Sequence, residues 1–188
     1  MHLKKETLEK AVINALNNAS ELFEEAGLLE KNKKFARAFT LFHLSIEEVG
    51  KVFIIFKYLL QNNYSSDEMK KFDKEFRNHK IKINASTKID VLLACLEESS
   101  TLSPELIEKV TYSKEKINNL NQLKNLSLYS FINEDLSFKP TDIIRKEDVE
   151  EIHLIAQYRI EGTQVLSDDF LKNIDRNVKL IDNLKYRK

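Results

Sequence analysis

An all-α bundle of long antiparallel helices is the fold class this chain predicts, on three observations. Only three glycines and two prolines punctuate 188 residues. Hydrophobic residues make up 42% and charged residues 32%, with no tryptophan, a balance that suits long amphipathic helices in a soluble chain. Apolar residues also return at three- and four-residue steps over most of the length. A chain of this size forms one domain, residues 1–188, and buries a core of its own without metal or disulfide staples.

The first helix is expected from about Lys4 to Leu29. Leu8, Val12, Ala15, Ala19, Leu22, Phe23 and Ala26 share one face there, and Gly27 is expected to fray its end. A second helix from about Lys33 to Gln61 is apolar on several faces, so neighbours must cover it all round. Gly50 inside it costs stability relative to alanine, which points to close approach by another helix. Ser66 with Asp67 and Glu68 starts a third helix, in which Phe72, Phe76, His79 and Ile83 form one stripe, placing His79 inward. That helix is expected to run to about Glu97, with a break near Asn84 to Thr87.

Ser103-Pro104-Glu105 gives a start signal for a fourth helix, carrying Leu106, Ile107, Val110, Ile117, Leu120 and Leu123. Residues 128–140 lose the helical period but keep many apolar side chains, which predicts a packed loop. From Thr141-Asp142 a last helical region follows, either one long helix or two end to end, with Gly162 and Ser167-Asp168-Asp169 as candidate breaks.

Composition narrows the function classes. Thirty basic and thirty acidic residues cancel, so the chain lacks the global charge of a protein that coats nucleic acid, and any such contact is local. The one cysteine, Cys95, excludes an intrachain disulfide and reads as a small buried hydrophobe. The amino terminus has no apolar signal core, and the greasiest run, Val52 to Leu60, is far shorter than a membrane span. A cytoplasmic protein without a membrane contact is expected. Glycine-rich phosphate loops, nucleophile elbows, zinc spacings and carboxylate-bridged metal motifs are missing from the sequence, so no metal and no cofactor are expected.

The chemistry is concentrated in two blocks. Glu47, Glu48 and Lys51 place two acids and a base in a helix that otherwise reads as buried, where ions need partners. Lys51 stands i+4 from Glu47 and i+3 from Glu48, so it can pair with either. His79 lies among Arg77, Asn78, Lys80 and Lys82, groups that suit a phosphate, and imidazole is the usual proton carrier for phosphodiester cleavage near neutral pH. Cleavage without metal needs an activated 2′-hydroxyl, a proton donor for the leaving oxygen and cations for the developing charge. His79 with Lys82, Arg77 or Arg37 can fill those roles. The alternative is a satisfied core histidine and a structural ion network. His2, His43 and His153 are weaker candidates.

Ala36-Arg37-Ala38, Ile46-Glu47-Glu48-Val49-Gly50-Lys51, Phe76-Arg77-Asn78-His79-Lys80-Ile81-Lys82 and Leu128-Tyr129 with a later Pro140 together resemble the AbiV family of bacterial abortive-infection proteins. The resemblance spans about Leu8 to Tyr158. It implies a HEPN-like helical bundle, a homodimer with its site near the subunit interface, and a phage-defence role in which such toxins cleave RNA or block translation. The implied activity is that of a metal-independent endoribonuclease. Its site would comprise His79, Lys82, Arg77, Glu47, Glu48 and Lys51, with Arg37 and Lys80 on the RNA. The HEPN ribonuclease motif has arginine, a polar residue, three others and then histidine; here Lys82 takes the histidine's place and His79 directly follows Arg77-Asn78. Arg37 and His43 also have five residues between them, but His43 falls outside the blocks that carry the resemblance. RNA or the translation machinery, and a phage-encoded activator or inhibitor, are the implied partners. The competing reading is a non-catalytic interaction module that binds a phage or host protein.

Overall fold

The computed structural model describes residues 4–97 and 111–185, with side chains for 4–92 and 111–180. Helices dominate: α1 (Lys5–Lys31), α2 (Phe35–Gln61), α3 (Ser66–Arg77), α4 (His79–Ser86), α5 (Lys88–Glu97), α6 (Lys114–Leu128), α7 (Pro140–Ile143), α8 (Lys146–Lys172) and α9 (Ile174–Lys185). The only strands among the described residues are β1 (Phe131–Ile132) and β2 (Ser137–Phe138), an antiparallel pair between α6 and α7. Among the described residues no helix is long and apolar enough to cross a membrane.

α2 is the central element. Eighteen of its residues are buried, as its many apolar faces require, and it packs against α1, α4, α6 and α8. One core gathers Val12, Val52, Ile55, Tyr58, Leu59, Phe72 and Ile89; another gathers Ala26, Phe39, Phe42, Ile46, Val149, Ile152 and Ala156. α2 contributes to both and ties them together. The α1 to α2 turn is closed by Lys33 in the left-handed region at φ 57°, which folds α2 back along α1.

Several boundaries differ from expectation, each for a local reason. Gly27 does not end α1, because the helix runs on to Lys31 and the space beside Gly27 is open. The third helix breaks at Asn78, whose side chain accepts a hydrogen bond from the Ile81 N–H at 3.1 Å and caps α4. After that break the His79 side chain is 51% exposed, yet its Nδ1 is turned inward onto the buried Glu47. A second break falls at Thr87, within the expected interval. α8 passes straight through Gly162 and Ser167 to Asp169 and stops at Asn173.

Residues 128–140 form a hairpin, and Tyr129, Phe131, Ile132 and Leu136 are exposed, in place of the packed loop expected there. α6 starts from a Ser113 cap that accepts from Lys116 N–H at 3.1 Å. The start signal at Ser103, with Leu106, Ile107 and Val110, and the Cys95 side chain lie outside the described residues.

Candidate functional site

Thr40, His43, Glu47 and Gly50 follow one another along α2 at steps of three, four and three, so they share a single face. This face meets α4 and α6. At its centre is Glu47, 1% exposed, with four cationic or imidazole groups around its carboxylate. Lys82 Nζ is 2.7 Å from Oε2, His79 Nδ1 is 2.7 Å from Oε2 and 2.9 Å from Oε1, and Lys124 Nζ is 3.6 Å from Oε1. His43, one turn earlier on α2, brings Nε2 to 3.5 Å from Oε1. Beyond Lys124 the seam between α2 and α6 continues as a 2.7 Å bond between the Thr40 and Ser127 hydroxyls.

Gly50 makes this packing achievable. A Cβ there would stand 1.9 Å from the backbone oxygen of Lys82, so only glycine lets α4 lie this close to α2. The close approach predicted from sequence is therefore made by α4, at the residue that pairs with Glu47.

Burial by itself pushes the Glu47 carboxyl up. The nearby His43 ring, hydrogen bonds from Lys82 and His79, and the Lys82 charge outweigh that, and the pKa falls to about 2. Glu47 is a carboxylate throughout the physiological range. For His43, burial dominates and lowers the pKa from 6.5 against the opposing pull of Glu47, so its ring is neutral near pH 7.

The arrangement has a chemical consequence at His79. A carboxylate only accepts hydrogen bonds, so Nδ1 carries the proton shared with Glu47. Nε2 is left as the atom for proton exchange on a half-exposed ring, with tautomer and orientation fixed by the buried acid. A comparable pair elsewhere, His153 Nδ1 with Glu30 at 2.7 Å, has its ring stacked on Phe42 and edge-on to Phe23, which makes it a pin between α8 and α1.

Of the residues singled out from sequence, Glu47, His79 and Lys82 come together. Glu48 and Lys51 do not join them: they pair with each other, and Lys51 lies 5.2 Å from the Phe76 ring centroid. The expectation that the two adjacent acids act together is thus corrected, because neighbouring residues on a helix point about 100° apart. Arg77 is exposed and bonded to Asp73 at 2.8 Å, and Lys80 is exposed. Arg37 donates to the Leu128 carbonyl at 3.2 Å, at the base of the hairpin.

Lys124 and the central place of His43 were missed. For His43 a signal existed, since it stands four residues before Glu47 on the same helix face. Lys124 sits in a largely polar helix, and its pairing is purely tertiary.

An all-α bundle with a buried, multiply paired carboxylate under a half-exposed histidine is the class of protein that fold and site define. The family model for AbiV, of the HEPN group, matches residues 7–161, and the chain belongs to that family. Membership points to an abortive-infection, HEPN-type role in defence. No curated protein and no solved structure gives a significant match to the chain.

Proposed function

We propose that this protein limits phage propagation by cleaving RNA in the infected cell, with His79 as the proton-transfer group. One observation carries the reading: Glu47, buried and ionised, holds Nδ1 of a half-exposed imidazole at 2.7 Å. In the reaction Nε2 of His79 takes the proton of a ribose 2′-hydroxyl. The 2′-oxygen then bonds to phosphorus, the bond to the 5′-oxygen breaks, and that oxygen leaves with a proton returned by the imidazolium. The products are a 2′,3′-cyclic phosphate and a 5′-hydroxyl, with no metal in the balance.

Lys82 is buried on Glu47, so its part is to hold the carboxylate rather than to reach the phosphate. The exposed Arg77 and Lys80, on either side of His79 in the chain, are the cations available to the scissile phosphate. Arg77 can leave Asp73 at little cost, since exposed pairs contribute about 0–1 kcal/mol. Arg37 is the residue this reading assigns to the strand further along α2, while Glu48 and Lys51 support α2 and α3 from outside the reacting group. A homodimer, and control by a phage-encoded activator or inhibitor, fit this reading through the family.

Incubating the purified protein with total RNA, beside His79→Ala, tests it. Wild-type cleavage leaving cyclic phosphate ends, lost by at least about a hundredfold in the variant, is the expected result. Equal cleavage by both, or none by the wild type with lysate from infected cells present, removes the enzymatic reading.

The second reading is a non-catalytic interaction module, and the exposed Tyr129, Phe131, Ile132 and Leu136 on the hairpin favour it. It expects growth arrest that survives His79→Ala and is lost when Ile132 and Leu136 become serine.

A further inference from the structure

His43 is 1% exposed, and neither of its ring nitrogens has a hydrogen-bond partner among the described residues: Nε2 has only Glu47 Oε1 nearby, at 3.5 Å, and Nδ1 has none. A buried ring nitrogen left in that condition is costly, so a partner is needed. The same ring lines a small cavity of about 10 Å³ together with Arg159, Tyr112 and the apolar side chains Ile46, Ile83 and Ile152. That is room for one water molecule and nothing larger. Arg159 is also 1% exposed. Its Nε and Nη2 donate to Asp90, and its Nη1 donates to Ser86 at 2.9 Å. A guanidinium has five N–H groups, so even with the Tyr112 hydroxyl beside it as an acceptor a donor remains for a further one.

We infer that one buried water molecule links Arg159 to Nδ1 of His43, making Arg159 a positioning residue for the Glu47–His79 pair. Donor and acceptor capacity, with the Glu47 charge near Nε2, favour one arrangement. Arginine only donates, so the water oxygen accepts from Arg159 and a water hydrogen goes to Nδ1. Nδ1 is then the bare nitrogen of the neutral ring, and Nε2 carries the proton on the side of Glu47, whose Oε1 at 3.5 Å is a charge neighbour rather than a hydrogen-bond partner. A flipped tautomer would turn a lone pair toward the carboxylate and repel it. The chain from α8 through the water to α2 therefore fixes which His43 nitrogen faces Glu47, and so supports the oxygen pair that holds His79.

This inference rests on the proposed role of His79, but its test does not require catalysis. In wild-type protein at neutral pH, nitrogen-15 shifts of the histidine rings report each tautomer, and a nuclear Overhauser contact from a slowly exchanging water reports cavity occupancy. His43 in the Nε2–H form with a water contact is the expected result. The Nδ1–H form, or no water contact, overturns the inference whether or not the protein cleaves RNA. Arg159→Lys keeps a charge beside Asp90 while withdrawing the guanidinium from the cavity, and Arg159→Met removes the donor altogether.

In whichever of the two folds, the His43 ring is expected to become a mixture of tautomers, with RNA cleavage reduced about tenfold. An unchanged tautomer in the folded variant shows that Arg159 is scaffold only. Correct wild-type ring signals without any RNA cleavage would instead retire the enzymatic reading and leave the water bridge standing.

Discussion

Oε2 of Glu47 lies 2.7 Å from both Nδ1 of His79 and Nζ of Lys82, so one buried oxygen holds two residues of the same short helix. Glu47→Gln keeps the shape but removes the charge that Lys82 and Lys124 face. Breaking a buried pair from one side costs about 3–5 kcal/mol. Urea denaturation should show a loss of that size, and an unchanged midpoint would mean that the cations find water instead.

Two glycines of α1 and α2 should respond oppositely to the same substitution. Gly50→Ala drives a methyl into the Lys82 backbone and is expected to destabilise by at least about 2–3 kcal/mol. Gly27→Ala meets nothing within 4 Å, and should stabilise by up to about 1 kcal/mol through helix propensity. Thermal melts of the two variants check the pair.

Acid should weaken the fold in two stages. His43 has its pKa lowered from 6.5, so below that value the unfolded chain takes up a proton that the folded chain refuses. Stability falls as pH drops through this window, by up to about 1.4 kcal/mol per unit for one proton. Glu47, lowered from 4.5 to about 2, contributes stability that is whole above 4.5 and lost as pH falls toward 2. His43→Gln should flatten the first stage and leave the second; denaturation curves at successive pH values would reveal it.

His79 and His153 separate function from scaffold. His79 is half-exposed, so His79→Ala should cost no more than about 1 kcal/mol while abolishing RNA cleavage. His153→Ala removes a ring stacked on Phe42 and bonded to Glu30, and should cost about 2 kcal/mol with the cleavage chemistry intact. Melting temperatures read beside nuclease assays decide both.

Much of this was legible in the residues themselves. The apolar steps of α1 and α2 expose the central helix, and charge inside a greasy run marks Glu47 as needing partners. Gly50 likewise announces a close neighbour. Other features depend on tertiary geometry. Which of two adjacent acids turns inward follows from how α2 is rotated in the bundle, so Glu47 and Glu48 looked alike. Arg159 hid in a long amphipathic helix because its partners, Asp90 and Ser86, come from α5 and α4. The capping role of Asn78 went unseen because the apolar stripe runs smoothly across it, and local capping outweighed the longer periodicity.

α4 is eight residues long and bears both His79 and Lys82. It is joined to α3 at Asn78 and bounded at Thr87, with the bare backbone of Gly50 beneath it. Any change that lifts this one helix off Gly50 would take ring and ammonium from the acid together, so the site should be lost as a unit rather than fade group by group.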